Sequence, residues 1–497
     1  MFSEHPSAIC VYAIDTHPSC LLTTPFGRRG RLPRKNGLIV TVAHIDNSFY
    51  EIRIPTLRRY SACEGFKTQG IRHRVLDGGC RLAGALSPDR IDSHLSYGEV
   101  FDVFEQKLVE LSANGRTVLG YIYPHTPLEL PLGLGMTPSL LWARPNAQSG
   151  FEASLQTFSC SLTRNLFSQR SNGGLTFLGG LLFPSNTCDS LHNVSDVWRR
   201  RFPEDRVFRL TYPAGRLGDD SVQFLAEELR ILSECLKNVY GRVLSNEALL
   251  RAVSLVNDFR NAAQTLYSCR VMDPSLVSYS EAARLLRHFL TIPSAGAVDQ
   301  ISRSATTAAQ ILEKRGQLNE AKSLQKELLS GELTGAEIGA KSSRPRIMIA
   351  GGMVEPVVVA SLFESCNRKE GEVVAFDLLS YGFKTAFTPP VNLEGDPFVT
   401  ISKSILGAPS EPTQEGLPER LKFLKRVLRR LSINGLVVCD QSFCDPDQFE
   451  APSLVKAASE AGVPTVRLPM DPELSDRGRL EGRIQSFLET LRGRTRR

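Results

Sequence analysis

The chain has 497 residues, 42% of them hydrophobic and 23% charged, which is ordinary for a globular protein and long enough for two or three domains. Its formal net charge of +6 is small for this length, and no basic stretch is interleaved with aromatic residues, which argues against nucleic acid as a partner. No apolar run approaches the roughly 18 residues that a membrane span needs and the N-terminus lacks a signal-peptide pattern, so we expect a soluble, cytoplasmic protein without a membrane partner.

Residues 1–95 differ from the rest of the chain, because they carry little periodicity and four scattered cysteines. Two alternatives stay open: a disordered or poorly packed extension, which includes the case of a misassigned start codon, or a small strand pair over residues 35–53. From about residue 96, helical and strand-like patterns alternate, and a strand that begins at Thr117 is stopped by Pro124. We predict a first α/β domain over residues 96–240.

A run of helices is predicted after this domain. One helix ends at Gly241, which adopts the left-handed conformation at little cost, and Ser245 caps the next. A capping box at Ser278–Glu281 starts a third helix, and the alanine- and charge-rich residues 298–329 predict more helix. We predict a helical bridge over residues 241–340.

Alternating strands and helices resume over residues 341–497, the predicted second α/β domain. Neither G-x-G-x-x-G nor G-x-x-x-x-G-K-[ST] occurs, so the pair Gly351-Gly352 does not predict a nucleotide loop. The predicted strands are 346–350, 373–376, 435–439 and 464–468, and the predicted helices are 356–366, 417–432, 451–461 and 479–491. The chain is therefore predicted to be an α/β protein of two domains joined by helices.

The 11 cysteines include no Cys-x-x-Cys pair, so any metal site must join distant segments. Cys160, Cys188 and Cys444 each precede a plausible helix start, where N–H groups stabilise a thiolate. Cys444 also follows a short β-rich run, at the strand end where open α/β sheets bind ligands. Their separations match no local metal motif, so the residues leave open whether the three share a metal site or are incidental. Four others are predicted to be buried, inert thiols: Cys235, Cys269, Cys366 and Cys439.

An ordered set of motifs over about residues 96–497 resembles the 2-hydroxyacyl-CoA dehydratase and benzoyl-CoA reductase family. The set begins with a Gly-Tyr strand and a Pro-Leu-Glu-Leu step. Its members are Gly120–Pro138, Phe158–Cys160, Phe183–Ser190, Gly241–Leu249, Asn257–Arg260, Phe443–Glu450 and Arg483–Glu489.

The resemblance implies two flavodoxin-like domains that hold a [4Fe-4S] cluster through Cys160, Cys188 and Cys444. Three protein ligands would leave one iron open to substrate. It further implies an oxygen-sensitive subunit that works with a paralogous sister subunit, and an ATP-dependent activator that injects one electron into an acyl-CoA thioester as a ketyl radical anion. A dehydratase then expels the C2 hydroxyl group, whereas a reductase adds electrons and protons to an aromatic ring.

Some residues depart from the family motifs, and others have more than one predicted role. The family often has a cysteine in an Asp-Leu-Cys-x-Gly-x-Arg step, where this chain has Leu379 and ends the step with Lys384. Glu129 is the candidate for proton transfer, with a structural salt bridge as the alternative. His125 and His192 flank the motifs and are predicted to be hydrogen-bonded supporting or surface residues.

Two other functional classes stay open at this stage. The chain could be a non-catalytic electron-transfer or scaffold subunit whose cluster never contacts substrate, or an α/β binding protein with incidental cysteines. The identity of the acyl-CoA, the direction of the reaction and the subunit type are not encoded in any motif.

Overall fold

The computed structural model describes residues 39–43, 49–53, 97–145, 147, 149–214, 218–339, 344–366 and 373–495. The chain forms two compact units, Met1–Arg74 and Val75–Arg497. In the first, strand β1 (Ile39–Ala43) pairs antiparallel with β2 (Phe49–Arg53), which is the strand pair that the sequence allowed over residues 35–53. The other predictions for residues 1–95 lie outside the described residues.

The second unit begins with helix α1 (Tyr97–Ala113) and a four-stranded parallel sheet. The strands pair in the order β4-β3-β5-β6, and burial is complete along three of them, because helices cover both faces. The elements are β3 (Val118–Tyr121), α2 (Glu129–Gly133), β4 (Thr137–Leu140), α3 (Ser161–Ser171), β5 (Gly180–Ser185), α4 (Asp189–Arg201), β6 (Val207–Thr211) and α5 (Asp219–Tyr240).

Four helices follow, and local signals set their ends. Gly241 has φ 66° and closes α5, while the hydroxyl of Ser245 accepts the N–H of Ala248 and that of Ser278 accepts the N–H of Glu281. The predicted helical stretch 298–329 is in fact two helices, which a turn at Gly316 separates. The helices are α6 (Asn246–Met272), α7 (Tyr279–Thr291), α8 (Ala295–Lys314) and α9 (Leu318–Ser330), and α6 packs against both α8 and α9.

The second parallel sheet has the order β10-β9-β7-β8. Its elements are β7 (Arg346–Ala350), α10 (Pro356–Cys366), β8 (Val373–Leu378), a π-helical turn (Ser380–Lys384), α11 (Pro397–Leu406), α12 (Leu417–Arg430), β9 (Gly435–Gln441), α13 (Asp445–Glu460), β10 (Thr465–Met470) and α14 (Arg477–Thr495).

Both sheets place their strands in the spatial order second, first, third, fourth, which is the flavodoxin-like arrangement. The predicted α/β class with two parallel sheets is confirmed. The exact domain boundaries, 96–240, 241–340 and 341–497, stay a prediction. One helix boundary was wrong: α13 begins at Asp445 rather than at residue 451, because Pro446 fits the first turn of a helix and Pro452 is accommodated inside it.

One apolar core runs through both sheets, with Tyr121 and Leu182 from the first and Met348 and Val438 from the second. Among the helices of the described residues, none is long and apolar enough to cross a membrane.

Candidate functional site

Three cysteines lie at helix N-termini. Cys160 is the N-cap residue of α3, Cys188 that of α4 and Cys444 that of α13. The first turn of a helix has backbone N–H groups without intrahelical partners and a partial positive charge, and both favour a thiolate over a thiol. Each of these side chains is therefore in a position where the backbone stabilises negative charge.

Cys188 and Cys444 occupy equivalent places in the two sheets. Each follows the third strand of its own sheet, at the carboxyl end of that strand and beside the first strand, which is the switch point where doubly wound folds bind ligands. The turn before each cysteine contains a non-glycine residue with positive φ, Asn186 at 65° and Phe443 at 59°. Such backbone strain costs on the order of 1–3 kcal/mol and is concentrated at functional sites.

The three cysteines line one pocket of about 480 Å³. The thiols of Cys160 and Cys444 are hydrogen-bonded to each other, and Cys188 lies elsewhere on the pocket wall. The N–H of Ser161 donates to the carbonyl oxygen of Ser442 at 3.1 Å, which joins the turn before α3 to the turn before α13. The structure thus brings together the three cysteines that the sequence singled out.

The protonation of these thiols is unequal. The hydrogen bond from the Cys444 thiol, assisted by the N–H groups of Thr163 and Leu162, lowers the pKa of Cys160. The same contact raises the pKa of Cys444 well above its usual range, and burial adds to that rise. Burial raises the pKa of Cys188 to about 12. A bound metal would favour the thiolate form of all three cysteines and so oppose the burial that raises the pKa of Cys188 and Cys444.

The spacing of the side chains bears on what the pocket could hold. Among the residues that the structure describes, no three His, Cys, Asp or Glu side chains are close enough to hold one metal ion. A polynuclear cluster needs larger distances between its ligand side chains, because each thiolate binds a different iron atom. An all-thiol donor set at three helix N-termini fits an iron–sulfur cluster better than a single hard cation.

Glu129 begins α2. Its side chain is fully buried and forms an ion pair with Arg260 of α6, with 2.9 Å between Oε1 and Nη1. Glu129 is not one of the described residues that line the cysteine pocket. The geometry favours the salt-bridge alternative, and a role in proton transfer stays a prediction.

A buried polar cluster is centred on Glu411, and no sequence motif indicates this residue. Glu411 accepts from Lys384, with 3.3 Å between Oε2 and Nζ, and its Oε1 lies 3.5 Å from Nε2 of His125. Burial alone would raise the pKa of Glu411, but Lys384, His125 and the Ser380 hydroxyl together lower it to about 2. Two residues further on, Thr413 lines the cysteine pocket.

The sequence signal for this cluster is partial. Lys384 ends the Asp-Leu-Leu-Ser-Tyr-Gly-Phe-Lys step that resembles a family motif, so it could be found. Glu411 lies in the loop between α11 and α12, in a Pro-rich segment without periodicity, and only the tertiary contacts reveal it.

The remaining predicted residues have plain structural roles. Nδ1 of His192 is hydrogen-bonded to the Ser185 hydroxyl at 2.7 Å, and His125 belongs to the buried cluster. Leu379 is fully buried in an apolar core. The prediction that Cys235 is buried was wrong: it lies on the exposed side of α5, because the apolar contacts of that helix are made by its other face.

Asp447 of α13 lies close to the backbone at the end of β7. A Cβ atom on Gly352 would overlap its Oδ1, so this glycine is required by close packing rather than by a nucleotide loop. Burial raises the pKa of Asp447 to about 7.

Comparison with known proteins gives a consistent match. Residues 124–491 match the family model described as 2-hydroxyglutaryl-CoA dehydratase, D-component. Lactoyl-CoA dehydratase subunit beta from Anaerotignum propionicum is 24% identical, over 76% of this chain and 92% of its own length. A benzoyl-CoA reductase subunit from Thauera aromatica is also 24% identical, over 71% and 84%. The beta subunit of (R)-2-hydroxyglutaryl-CoA dehydratase from Acidaminococcus fermentans is 21% identical, over 77% and 95%.

Proposed function

This chain belongs to the 2-hydroxyglutaryl-CoA dehydratase D-component family, and we propose that it is the iron–sulfur subunit of an acyl-CoA dehydratase or of an aromatic acyl-CoA reductase. The observation that carries the proposal is the convergence of Cys160, Cys188 and Cys444 on one pocket, each at a helix N-terminus. The family resemblance singles out these three cysteines, and the pocket supports the choice because all three line it.

In this proposal the three thiolates hold a [4Fe-4S] cluster. The cluster would supply one-electron transfer and, with only three protein ligands, an iron open to a substrate oxygen. The chain's own part is to stabilise the three thiolates with the N–H groups of α3, α4 and α13. The pocket wall also excludes water from one side, since Met353 and Leu191 line it.

The proposed substrate is an acyl-CoA thioester, as the names of the relatives suggest. Two of these relatives are named as beta subunits, so we propose a paralogous sister subunit as the partner. We also propose an ATP-dependent activator protein as the electron donor, as the resemblance of the sequence motifs implies. Dehydration and ring reduction are both compatible with the pocket.

A second candidate function is a non-catalytic electron-transfer or scaffold subunit of the same family. The observation that favours it is the position of Glu129, the one carboxylate predicted for proton transfer, which is paired with Arg260 instead of lining the pocket. In that case the acyl-CoA would react on the sister subunit.

Iron analysis after anaerobic reconstitution tests the proposal. We expect about four irons per chain in the wild-type protein, loss of the cluster in Cys444→Ala, and no loss in the control Cys235→Ala, whose thiol is exposed on α5. Wild-type iron content far below four, or equal iron in the two variants, would refute the cysteine assignment.

The EPR spectrum then separates the two candidate functions. A spectrum that changes on addition of an acyl-CoA supports direct substrate contact. An iron-loaded protein whose spectrum ignores every acyl-CoA, alone and with the sister subunit, supports electron transfer only.

A further inference from the structure

The loop between α11 and α12 contributes to the wall of the cysteine pocket. Pro412 and Thr413 line the pocket, as does Leu417 at the start of α12. Residues 411–415 are called the wall segment below. They belong to neither a helix nor a strand, so no regular backbone ladder fixes their position. Side-chain contacts must therefore hold this part of the wall in place.

Glu411 ties the wall segment to both parallel sheets. Its carboxylate is fully buried, and Oε2 accepts from the Ser380 hydroxyl at 2.5 Å and lies 3.3 Å from Nζ of Lys384. Both of these partners follow β8 of the second sheet. The other oxygen, Oε1, lies 3.5 Å from Nε2 of His125, which follows β3 of the first sheet. One side chain thus fixes the segment between the two halves of the chain.

Further contacts hold the rest of the wall segment. The hydroxyl groups of Tyr123 and Thr413 lie 3.3 Å apart. Nη1 of Arg420 donates to the carbonyl oxygen of Gln414 at 3.0 Å, and this guanidinium is itself paired with Glu450 of α13. The segment is therefore anchored along its length and not only where it joins the two helices.

Glu411 is the strongest of these anchors. The lowered pKa of about 2 means that its carboxylate is ionised at neutral pH, and hydrogen bonds to an ionised group are roughly twice as strong as those between neutral groups. Loss of this charge would also leave the buried Lys384 without its carboxylate partner. The contact between Tyr123 and Thr413 is neutral and contributes less.

We propose that Glu411 is a positioning residue, which holds the wall segment against the cysteine pocket and so limits the access of solvent, chelators and oxidants to the three thiols and to the group that they bind. Glu411 is not one of the described residues that line the pocket, so it acts through Pro412 and Thr413. The inference rests on the proposed function where it concerns the cluster, whereas protection of the thiols themselves can be measured without iron.

Thiol labelling of the iron-free full chain tests the positioning role. The chain is treated with iodoacetamide at neutral pH, and the labelled cysteine peptides are quantified by mass spectrometry. In Glu411→Gln we expect Cys160, Cys188 and Cys444 to react about 10- to 100-fold faster than in the wild type, because loss of the main anchor makes local opening of the wall easier. Cys269, which is buried in α6, is the internal control and should keep its wild-type rate.

Two further variants separate positioning from general loss of stability. Glu327→Gln is the matched control, because Glu327 forms a partly buried ion pair with Arg430, with 3.0 Å between Oε2 and Nε, and neither residue lines the pocket. It should leave the labelling of the pocket cysteines unchanged. Tyr123→Phe removes the neutral anchor without removing a charge and should raise the three labelling rates by about 3- to 10-fold. This variant keeps the inference testable if Glu411→Gln fails to fold.

Reconstituted protein extends the test to the cluster. Under anaerobic conditions, iron should be released to a chelator faster from Glu411→Gln and Tyr123→Phe than from the wild type, and at the wild-type rate from Glu327→Gln. The EPR spectrum of the reduced cluster should change in Glu411→Gln and stay unchanged in Glu327→Gln, because solvent access alters the surroundings of the cluster only in the first variant.

The outcomes distinguish this inference from the proposed function. Wild-type labelling rates at the pocket cysteines in folded Glu411→Gln and Tyr123→Phe, an equal rise at Cys269, or an equal rise in Glu327→Gln would overturn the inference and leave the proposed function intact. Wild-type protein that assembles no iron would refute the proposed function, and labelling of the iron-free chain would still decide the role of Glu411.

Discussion

The ion pair between Glu129 and Arg260 gives the sharpest test of a side-chain role. Two unit charges 2.9 Å apart attract each other by about 6 kcal/mol at an effective dielectric constant of 20. Desolvation of both buried groups offsets much of this attraction in the intact pair. Removing one partner leaves the other charge buried and unpaired, which typically costs about 3–5 kcal/mol. We therefore expect Glu129→Gln to lower the free energy of unfolding by an amount in that range.

Chemical denaturation of the full chain, with and without reconstituted iron, measures this effect. The double variant Glu129→Gln/Arg260→Met should be less destabilised than the sum of the two single variants, because it leaves no unpaired charge. The control is Glu247→Gln, which breaks an exposed ion pair with Arg251 and should change stability little. Unchanged stability in Glu129→Gln together with turnover reduced by roughly 10²- to 10⁴-fold would refute the structural role and support proton transfer.

Three further predictions concern packing, pH and the N-terminal region. Gly352→Ala should destabilise the protein by about 1–3 kcal/mol in thermal melting, since its Cβ would overlap Oδ1 of Asp447, whereas Gly478→Ala, with no atom within 4 Å, should not. The pKa of Glu411 is about 2 in the folded protein against 4.5 ordinarily, so the ionised carboxylate contributes about 3 kcal/mol to the free energy of unfolding. This contribution is present above pH 4.5 and is lost as pH falls towards 2. A Glu411→Gln variant whose stability falls equally steeply over this range would contradict the prediction. Deletion of residues 1–95 should leave iron content unchanged, and loss of soluble protein after this truncation would show that a required domain was removed.

Features that depend on neighbours in sequence could be predicted well. The caps at Ser245 and Ser278 and the left-handed Gly241 follow from side chains or backbone freedom within one turn, and the structure confirms each. The start of α13 was placed six residues late, because Pro446 and Pro452 suggest an irregular segment when only local propensity is considered. Within the first turn, however, a proline gives up no hydrogen bond.

Features that depend on tertiary contacts could not be predicted. Glu411 gains its partners from two separate segments, His125 after β3 and Lys384 after β8, and nothing in the residues around it encodes that meeting. A cavity of about 310 Å³ at the carboxyl ends of β7 and β8 is similar, since α9, α12, α13 and two strand ends each contribute part of its wall. Periodicity identifies which face of each helix is apolar, but it cannot identify where several such faces leave a space.

The cysteines could be predicted because each precedes a plausible helix start and lies in a family-like motif, and the structure adds that the two halves of the chain repeat one topology. In both sheets a cysteine follows the third strand, so Cys188 and Cys444 are equivalent, while Cys160 lies beyond the second strand of the first sheet. The residue after the second strand of the second sheet is Leu379, which packs with Ile349 and Val437 in an apolar core. The second half therefore supplies no thiol at this position to match Cys160. The arrangement is consistent with three thiolate ligands and one open iron position, which is what a substrate-binding cluster requires and a closed electron relay does not.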